Sequence, residues 1–166
     1  ERCNSCHGRL ALHGGTRRNT EHCVLCHNPN GTDVARRTAA TMPPESIHFK
    51  TLIHRIHTGE DLAREFTVLG FNSNPFNFNE VRFPGDRRNC QKCHLPGMYQ
   101  VPIGDGLAPT QSPRDPINPM EPITAACLSC HTDRPAAAWP RTATGEIAMT
   151  TERLVTYNLP KGRESY

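Results

Sequence analysis

The chain has 166 residues, 36% of them hydrophobic when its 8 Cys are included, and 15 Pro and 12 Gly interrupt regular structure along its length. So few ordinary apolar side chains do not fill a core for this length, and something other than side chains must contribute to it. The formal charge of +3 is too small to indicate nucleic-acid binding, and no run of about 18 apolar residues predicts a transmembrane helix.

A five-residue motif, C-x-x-C-H, occurs four times, at Cys3–His7, Cys23–His27, Cys90–His94 and Cys127–His131, and uses every cysteine. Two thiols three residues apart lie on one helical turn, where they can form thioethers with the two vinyl groups of a porphyrin, while the following imidazole binds the iron. The motif therefore predicts four haem c groups. The attaching cysteines are Cys3, Cys6, Cys23, Cys26, Cys90, Cys93, Cys127 and Cys130. The proximal iron ligands are His7, His27, His94 and His131.

Cysteine pairs of this spacing also occur in disulfides and in zinc ribbons, so four disulfides or two four-cysteine zinc sites are the alternatives. Neither alternative needs the four trailing histidines. Four haems would also supply one porphyrin for about every 41 residues (166/4), which is the apolar mass that the side chains lack. The predicted fold is mostly irregular, with a few short α-helices and a small β-hairpin organised around the four haems.

The segment between the second and third motifs carries the clearest local signals. A loop over 28–45 contains the turn signals Asn28–Gly31 and Pro43-Pro44, and Ser46 then caps a helix over 47–58 that stops at Gly59. Its apolar stripe follows helical spacing and consists of Phe49, Leu52, Ile53 and Ile56.

A β-hairpin is predicted next, with Phe66–Phe71 pairing with Phe76–Phe83. Its alternating residues are expected to cover haem faces, and they are Phe76, Phe78, Val81 and Phe83. After Pro96 the chain is rich in Pro and Gly, and little regular structure is expected until the last motif. Residues 154–159 are a candidate strand.

Five histidines remain outside the motifs for four distal positions: His13, His22, His48, His54 and His57. His54 and His57 lie on one side of the predicted helix beside the apolar stripe, and the glycines after His13 permit close approach to a macrocycle. His48 is preferred to His22 for the fourth position, because the backbone of His22 adjoins the second motif. An imidazole from a neighbouring chain is an alternative, and so is a thioether from Met42, Met98, Met120 or Met149.

Three arginine doublets, at Arg17, Arg36 and Arg87 with the residue after each, are candidates for pairing with haem propionates, although such doublets are more often solvated. Trp139 is a candidate to lie beside the fourth haem.

The motif residues and their surroundings resemble the haem domain of the outer-surface decahaem c-type cytochromes of metal-reducing bacteria. The resemblance covers about residues 1–135 and includes the positions of His13, His54 and His57, which serve as distal ligands in that family. It implies bis-histidine haems packed edge to edge. The segments that carry it are 3–15, 23–30, 49–60, 81–85 and 125–131.

The sequence departs from that family after His131, where a fifth motif and a further ligand histidine are usual and neither is present. We therefore expect a tetrahaem domain over 1–135 and a C-terminal tail over 136–166 that packs on it or mediates subunit assembly.

The predicted function is electron transfer through the four haems rather than catalysis. The resemblance implies an exported protein at the outer cell surface, which delivers electrons to minerals, soluble shuttles or partner cytochromes. A stand-alone four-haem unit needs another way to continue the electron path, and end-to-end polymerisation of copies of the chain into a conducting filament is one such way. Since haem c attachment requires export, we expect a leader to have been removed. The alternatives are a periplasmic tetrahaem carrier and a multihaem reductase of nitrite, hydroxylamine or a sulfur oxyanion with one open haem.

Overall fold

The computed structural model describes residues 2–100 and 107–130. This part of the chain is loop-rich, with short helices and two small antiparallel hairpins, and this agrees with the predicted combination of loops and short elements. The helices are α1 (Asn4–His7), α2 (Thr20–Cys26), α3 (Phe49–Thr58) and α4 (Pro122–Leu128). The strands are β1 (Thr67–Leu69), β2 (Pro75–Asn77), β3 (Thr110–Ser112) and β4 (Asp115–Met120). His131, Trp139 and the candidate strand over 154–159 lie outside the described residues.

Very little apolar material is buried by the protein itself. Among the described residues, the buried hydrophobic side chains are Phe66, Leu69 and Ala125, whereas nine polar or charged residues are buried. Large apolar side chains remain exposed, and Leu25 within the second motif is 72% exposed. The expectation that side chains alone do not form a sizeable core is therefore confirmed for this part of the chain.

Helix α3 begins later than predicted and ends where predicted. Its N-cap is His48 rather than Ser46, whose hydroxyl instead accepts a 3.2 Å hydrogen bond from the His48 backbone N–H. The helix stops at Gly59, which has φ +49°. A Cβ at this position would lie 1.9 Å from the Val81 carbonyl oxygen, so both conformation and space require glycine.

The predicted first hairpin forms, with shorter strands than expected. Strand β1 pairs with β2 in a register that places Val68 opposite Phe76. The tight connection contains Asn72 and Ser73, both with positive φ. The strands are short because the residues before β1 and after β2 are held by side-chain hydrogen bonds, as where Asn79 Oδ1 accepts from the Phe66 N–H at 2.7 Å.

The prediction of little regular structure after Pro96 was wrong for residues 110–120. Strands β3 and β4 form a second hairpin with an irregular register, in which Thr110 pairs with Met120 and Ser112 pairs with Asp115. Proline-rich sequence argues against a central strand, but both strands of an isolated hairpin are edge strands, where a missing N–H is tolerated.

The predicted loop over 28–45 contains neither an α-helix nor a named strand, but it includes two 3-10 turns, Val34–Arg36 and Ala39–Thr41. It is anchored by the buried carboxylate of Asp33. This carboxylate accepts hydrogen bonds from Arg37 at 2.7 Å and from the backbone N–H groups of Glu45 and Leu69 at 2.8 and 2.9 Å. Burial tends to raise the pKa of Asp33, but these hydrogen bonds outweigh it and hold the pKa below its usual value. The loop is thereby tied to β1.

A second buried carboxylate, Glu45, joins the loop to later parts of the chain. Its oxygens accept from Arg64 at 2.6 and 2.8 Å and from Arg114 Nε at 3.2 Å, and Arg55 Nη1 lies 3.6 Å away. Although burial opposes it, the pairing with Arg64 and Arg114 lowers the pKa of Glu45. We call the following residues the charge cluster: Asp33, Arg37, Glu45, Arg55, Arg64 and Arg114.

Helix α4 runs alongside α3 in the same direction. Near the start of both helices, Lys50 Nζ donates to the Pro122 carbonyl oxygen at 3.0 Å. Just past their ends, the Thr58 hydroxyl lies 2.9 Å from Cys130 Sγ. The fourth motif is therefore placed at the C-terminal end of α3.

Candidate functional site

The first three motifs share one local conformation. In each, the backbone N–H of the histidine donates to the carbonyl of the first cysteine, four residues earlier, at 3.0 Å for His7, 2.9 Å for His27 and 2.8 Å for His94. This closed helical turn places the two thiols of each motif on neighbouring positions, as attachment to one ligand requires. In the fourth motif, Cys127 lies in the last turn of α4.

All eight thiols are free of disulfides. Among the described residues, no group of three or more His, Cys, Asp or Glu side chains is arranged to hold a metal ion. The cysteines are thus assembled neither into disulfides nor, within 2–100 and 107–130, into four-cysteine zinc sites. Burial raises the pKa of Cys127 to about 11, with smaller contributions from the nearby thiols of Cys130 and Cys90.

Three pairs of imidazoles face one another, and each joins a motif histidine to one of the additional histidines. The ring centres are 6.0 Å apart for His7 and His57 and 6.1 Å apart for His13 and His27. They are 6.0 Å apart for His54 and His94, whose ring planes differ by 21°. Which additional histidine faces which motif histidine could not be predicted from the sequence.

This common spacing fits a metal held between two rings. Each bond from a metal to an imidazole nitrogen is about 2 Å and that nitrogen lies about 1 Å from its ring centre, so the ring centres should be about 6 Å apart. Aromatic rings in direct contact have centres about 4.5–7 Å apart, and a direct N–H···N hydrogen bond of about 3 Å would bring two imidazole centres to about 5 Å. The repetition of one spacing in three pairs, each joining a motif histidine to an additional histidine, is therefore what favours a metal between the rings. The three pairs therefore fit the iron of a haem c.

The electrostatic environment favours the neutral form of the imidazoles on α3. Burial, with a smaller contribution from the neighbouring His94, lowers the pKa of His54 to about 4. Burial also lowers the pKa of His57, with a smaller contribution from His7. Neutral imidazole is the form that binds a metal, so these side chains are in the required state at neutral pH.

The pair of His13 and His27 is positioned by backbone geometry. His13 has φ +51° and lies in a turn closed by reciprocal hydrogen bonds between Leu12 and Arg17 at 2.9 and 3.1 Å. The Nδ1 atom of His27 is 2.7 Å from the Ile47 carbonyl oxygen. Since a carbonyl only accepts, Nδ1 carries the proton and Nε2 is left with its lone pair.

The other two pairs are positioned by α3, which presents His54 and His57 one turn apart. His54 Nδ1 is buried and has no hydrogen-bond partner of regular geometry among the described residues. The backbone carbonyl of Lys50 raises the pKa of His54 slightly, but burial outweighs this effect. Phe83 packs edge-on against His57 at 5.5 Å, as expected for a residue that covers a ligand site.

Two other residues predicted to cover haem faces, Phe76 and Phe78, do not pack against an imidazole of the described residues as Phe83 does. Phe78 packs against Phe66 at 5.8 Å between ring centres, and Phe76 is 53% exposed. Tyr99, which sequence reasoning missed, lies 6.0 Å from the ring of His94. A lone tyrosine shortly after a Pro-Gly turn carries no periodic signal that would identify it.

Among the described residues, neither His22 nor His48 makes a hydrogen bond or a ring contact with a cysteine of the fourth motif. His22 is exposed on α2. His48 is 7% exposed, with Nδ1 3.5 Å from the Thr110 hydroxyl at the N-terminal end of α3. Cys130 lies at the opposite end of that helix, ten residues and about 15 Å further along its axis.

Several arginines of the doublets make contacts within the chain. Arg37 binds Asp33, Arg87 binds Asp61 and the Thr58 carbonyl, and Arg88 binds Asp86. These interactions use donors that pairing with propionates would need. The charge cluster was not predicted. Its arginines come from distant positions in the chain, so no local sequence pattern indicates it.

Repeated attachment turns and imidazole pairs spaced for a metal are typical of multihaem c-type cytochromes. The chain belongs to the family of MtrC/MtrF-like outer membrane cytochromes, domains II/IV, whose family model matches residues 1–159. The predicted resemblance is thus confirmed. No curated protein and no solved structure matches the chain.

Membership of this family makes the chain a multihaem electron-transfer protein of the outer-surface type. None of the helices within 2–100 and 107–130 is long and apolar enough to cross a membrane.

Proposed function

We propose that the chain is a four-haem electron-transfer unit in which pairs of imidazoles hold the irons. The observation that carries this proposal is the common spacing of 6.0 to 6.1 Å in three histidine pairs, each containing one motif histidine. When bound, haem c supplies an iron that cycles between Fe(III) and Fe(II) by one electron. The proposed ligand pairs are His7 with His57, His27 with His13, and His94 with His54.

The proposed covalent attachments follow the four motifs. Each pair of thiols would fix one porphyrin, so the pairs are Cys3 and Cys6, Cys23 and Cys26, Cys90 and Cys93, and Cys127 and Cys130. The exposed apolar side chains beside these motifs support this assignment, because Leu12, Leu25 and Leu95 are each more than half exposed in the protein chain alone. Such side chains are available to cover a large apolar ligand.

Imidazole on both sides of an iron leaves no position for a substrate, which supports electron transfer over catalysis. Helix α3 contributes to this role by holding His54 and His57 one turn apart, where their β-carbons are about 5–6 Å from each other. One rigid element thereby fixes the distance between two of the proposed centres.

For the fourth centre we propose His131 as the proximal ligand. The candidates for its distal ligand are His48, which is buried, and His22, which is exposed. Because neither faces Cys130, this is also the centre at which a reductase with an open iron would differ from a conduit. The proposed tetrahaem domain is 1–135, with 136–166 as a tail.

The family supports a location on the outer surface and partners that exchange electrons there. We propose mineral surfaces, soluble shuttles and other multihaem cytochromes as acceptors or donors. Copies of this chain could carry out the same electron transfer as subunits of a filament. The alternative is a periplasmic protein that carries electrons between partners.

The test is to mature the chain with haem and to compare single histidine variants. Intact mass is expected to show four haems, and electron paramagnetic resonance is expected to show low-spin irons. His54→Ala should convert one centre to high spin, whereas Glu80→Ala, a change at an exposed residue outside the proposed ligand sets, serves as the control. Fewer than four haems, or an unchanged spectrum in His54→Ala, would contradict the proposal.

The same series resolves the fourth centre. Conversion of a second, distinct iron in His48→Ala would assign it to His48, and conversion in His22→Ala would assign it to His22. A high-spin iron in the unmodified protein would favour the reductase. Light scattering on the same samples distinguishes filaments from single particles.

A further inference from the structure

A small cavity of about 40 Å³ lies between α3, α4 and the β3–β4 hairpin, away from the three imidazole pairs. Its lining includes three arginines, Arg55, Arg64 and Arg114, together with Glu45. Hydroxyl groups of Ser112 and Thr51 also line it. A volume of this size admits a single small species that has several polar partners.

The charges of the described residues around this cavity do not balance. Among them, three guanidinium groups surround one carboxylate, which leaves an excess of two positive charges, and the side chains of Arg64 and Arg114 reach solvent because they are 30% and 39% exposed. Both oxygens of Glu45 are already occupied by Arg64, and one of them also accepts from Arg114. The only other carboxylate of the charge cluster, Asp33, is paired with Arg37.

Arg55 is the arginine whose buried donors this arrangement leaves without partners among the described residues. Its side chain is 12% exposed, and its Nε and Nη1 atoms are fully buried without a hydrogen-bond partner among the described residues. Nη1 lies 3.6 Å from Glu45 Oε2, which is beyond hydrogen-bonding distance. The guanidinium is also stacked on the ring of Phe66, 5.1 Å from its centre, which holds the group in place.

Two buried N–H donors on a charged group are costly unless an acceptor satisfies them. Water would satisfy the hydrogen bonds but not the excess charge, whereas an anion would satisfy both. We propose that the cavity beside Arg55 binds one small anionic acceptor, either a free halide or the tip of a carboxylate. This site does not depend on the assignment of the iron ligands.

The direct test uses crystals of the haem-loaded protein soaked in bromide, with anomalous diffraction at the bromine edge. A bromide peak within hydrogen-bonding reach of Arg55 Nε would show an exchangeable anion. A carboxylate of a bound haem at the same place would identify the source as a propionate and would equally support an anionic acceptor. A water molecule or an empty cavity would overturn the inference.

A solution test follows the chloride dependence of the thermal midpoint, with sulfate-free buffers of constant ionic strength. For an exchangeable anion, Arg55→Met is expected to weaken chloride binding by about tenfold or more, the equivalent of one charge-assisted hydrogen bond. The matched control is Arg82→Met, because the side chain of Arg82 is 83% exposed. Equal chloride dependence in both variants would exclude a free halide at Arg55.

Haem content measured by mass in every sample separates this inference from the proposed function. A variant that keeps four haems and loses chloride dependence supports the site. An unmodified protein that binds bromide but carries fewer haems would contradict the function alone.

Discussion

The charge cluster and the imidazole pairs are two polar regions that differ in how their groups are satisfied. In the charge cluster, the carboxylates of Asp33 and Glu45 accept hydrogen bonds from protein groups. The exception in this cluster is Arg55, whose Nε and Nη1 donors have no acceptor among the described residues. In the imidazole pairs the rings face one another at about 6 Å and leave space between them. The first region is largely complete as folded protein, whereas the second needs a ligand to join its halves.

This difference predicts the largest effect for removal of one attachment site. In Cys90→Ala/Cys93→Ala, intact mass should fall by one haem and the low-spin absorbance by about a quarter, because one of four proposed centres is lost. His54 would lose the partner across the metal, so the thermal midpoint should also fall.

The matched control for that variant is Gln91→Ala/Lys92→Ala, which changes the same motif without touching a thiol. It should retain four haems and a normal spectrum. If the double cysteine variant also retained four haems, the motif would not be an attachment site.

A smaller but still large effect is expected within the charge cluster. Glu45→Ala leaves Arg55, Arg64 and Arg114 without their shared carboxylate, and breaking such a buried pairing costs about 3–5 kcal/mol of unfolding free energy. Denaturant unfolding of the haem-loaded protein measures this loss, with exposed Glu80→Ala as the control. A loss equal to that of Glu80→Ala would show that the charge cluster contributes no stability.

A local effect is expected at the end of α3. Gly59→Ala would place a Cβ against the Val81 carbonyl oxygen in a left-handed conformation, and overpacking of this kind costs about 1–3 kcal/mol. Because α3 carries His54 and His57, their two centres should show altered low-spin signals while that of His13 and His27 stays unchanged. Equal changes in all three signals would contradict a local effect.

The smallest effect is the change in unfolding free energy with pH near neutrality, above the pH range in which carboxyl groups titrate. The folded-state pKa values of Asp33 and Glu45 are below their unfolded values, so their stabilisation is fully present above the unfolded pKa and is lost as pH falls through the folded pKa. Between about pH 5 and 7 the unfolding free energy should therefore change little from these groups, and it should decline below about pH 4.

Titration of unfolding free energy against pH checks this, and Glu45→Gln should flatten the acid decline. An unfolding free energy that rises as the pH falls below 4, or a decline unaffected by Glu45→Gln, would contradict the assignment.

Sequence reasoning was most informative where the chemistry imposes spacing. Cys and His at fixed positions identified the motifs, and helical periodicity located α3 and its end at Gly59, although not its first residue. The charge cluster and the β3–β4 hairpin were not predicted. Arg64 and Arg114 reach Glu45 from 19 and 69 residues away, and such contacts depend on tertiary structure rather than on a local pattern.

The positions of the paired histidines along the chain have a consequence for the order in which the protein matures. His13 and His27 close a short loop, whereas His7 must wait for His57, fifty residues later in the chain. His54 in turn precedes its partner His94. Since short loops close at lower entropic cost, the proposed ligand pair of the second motif can form before those of the other two motifs. The proposed pairs of the first and third motifs require α3 to have formed, so formation of this helix is the step that would join the two ends of the assembly.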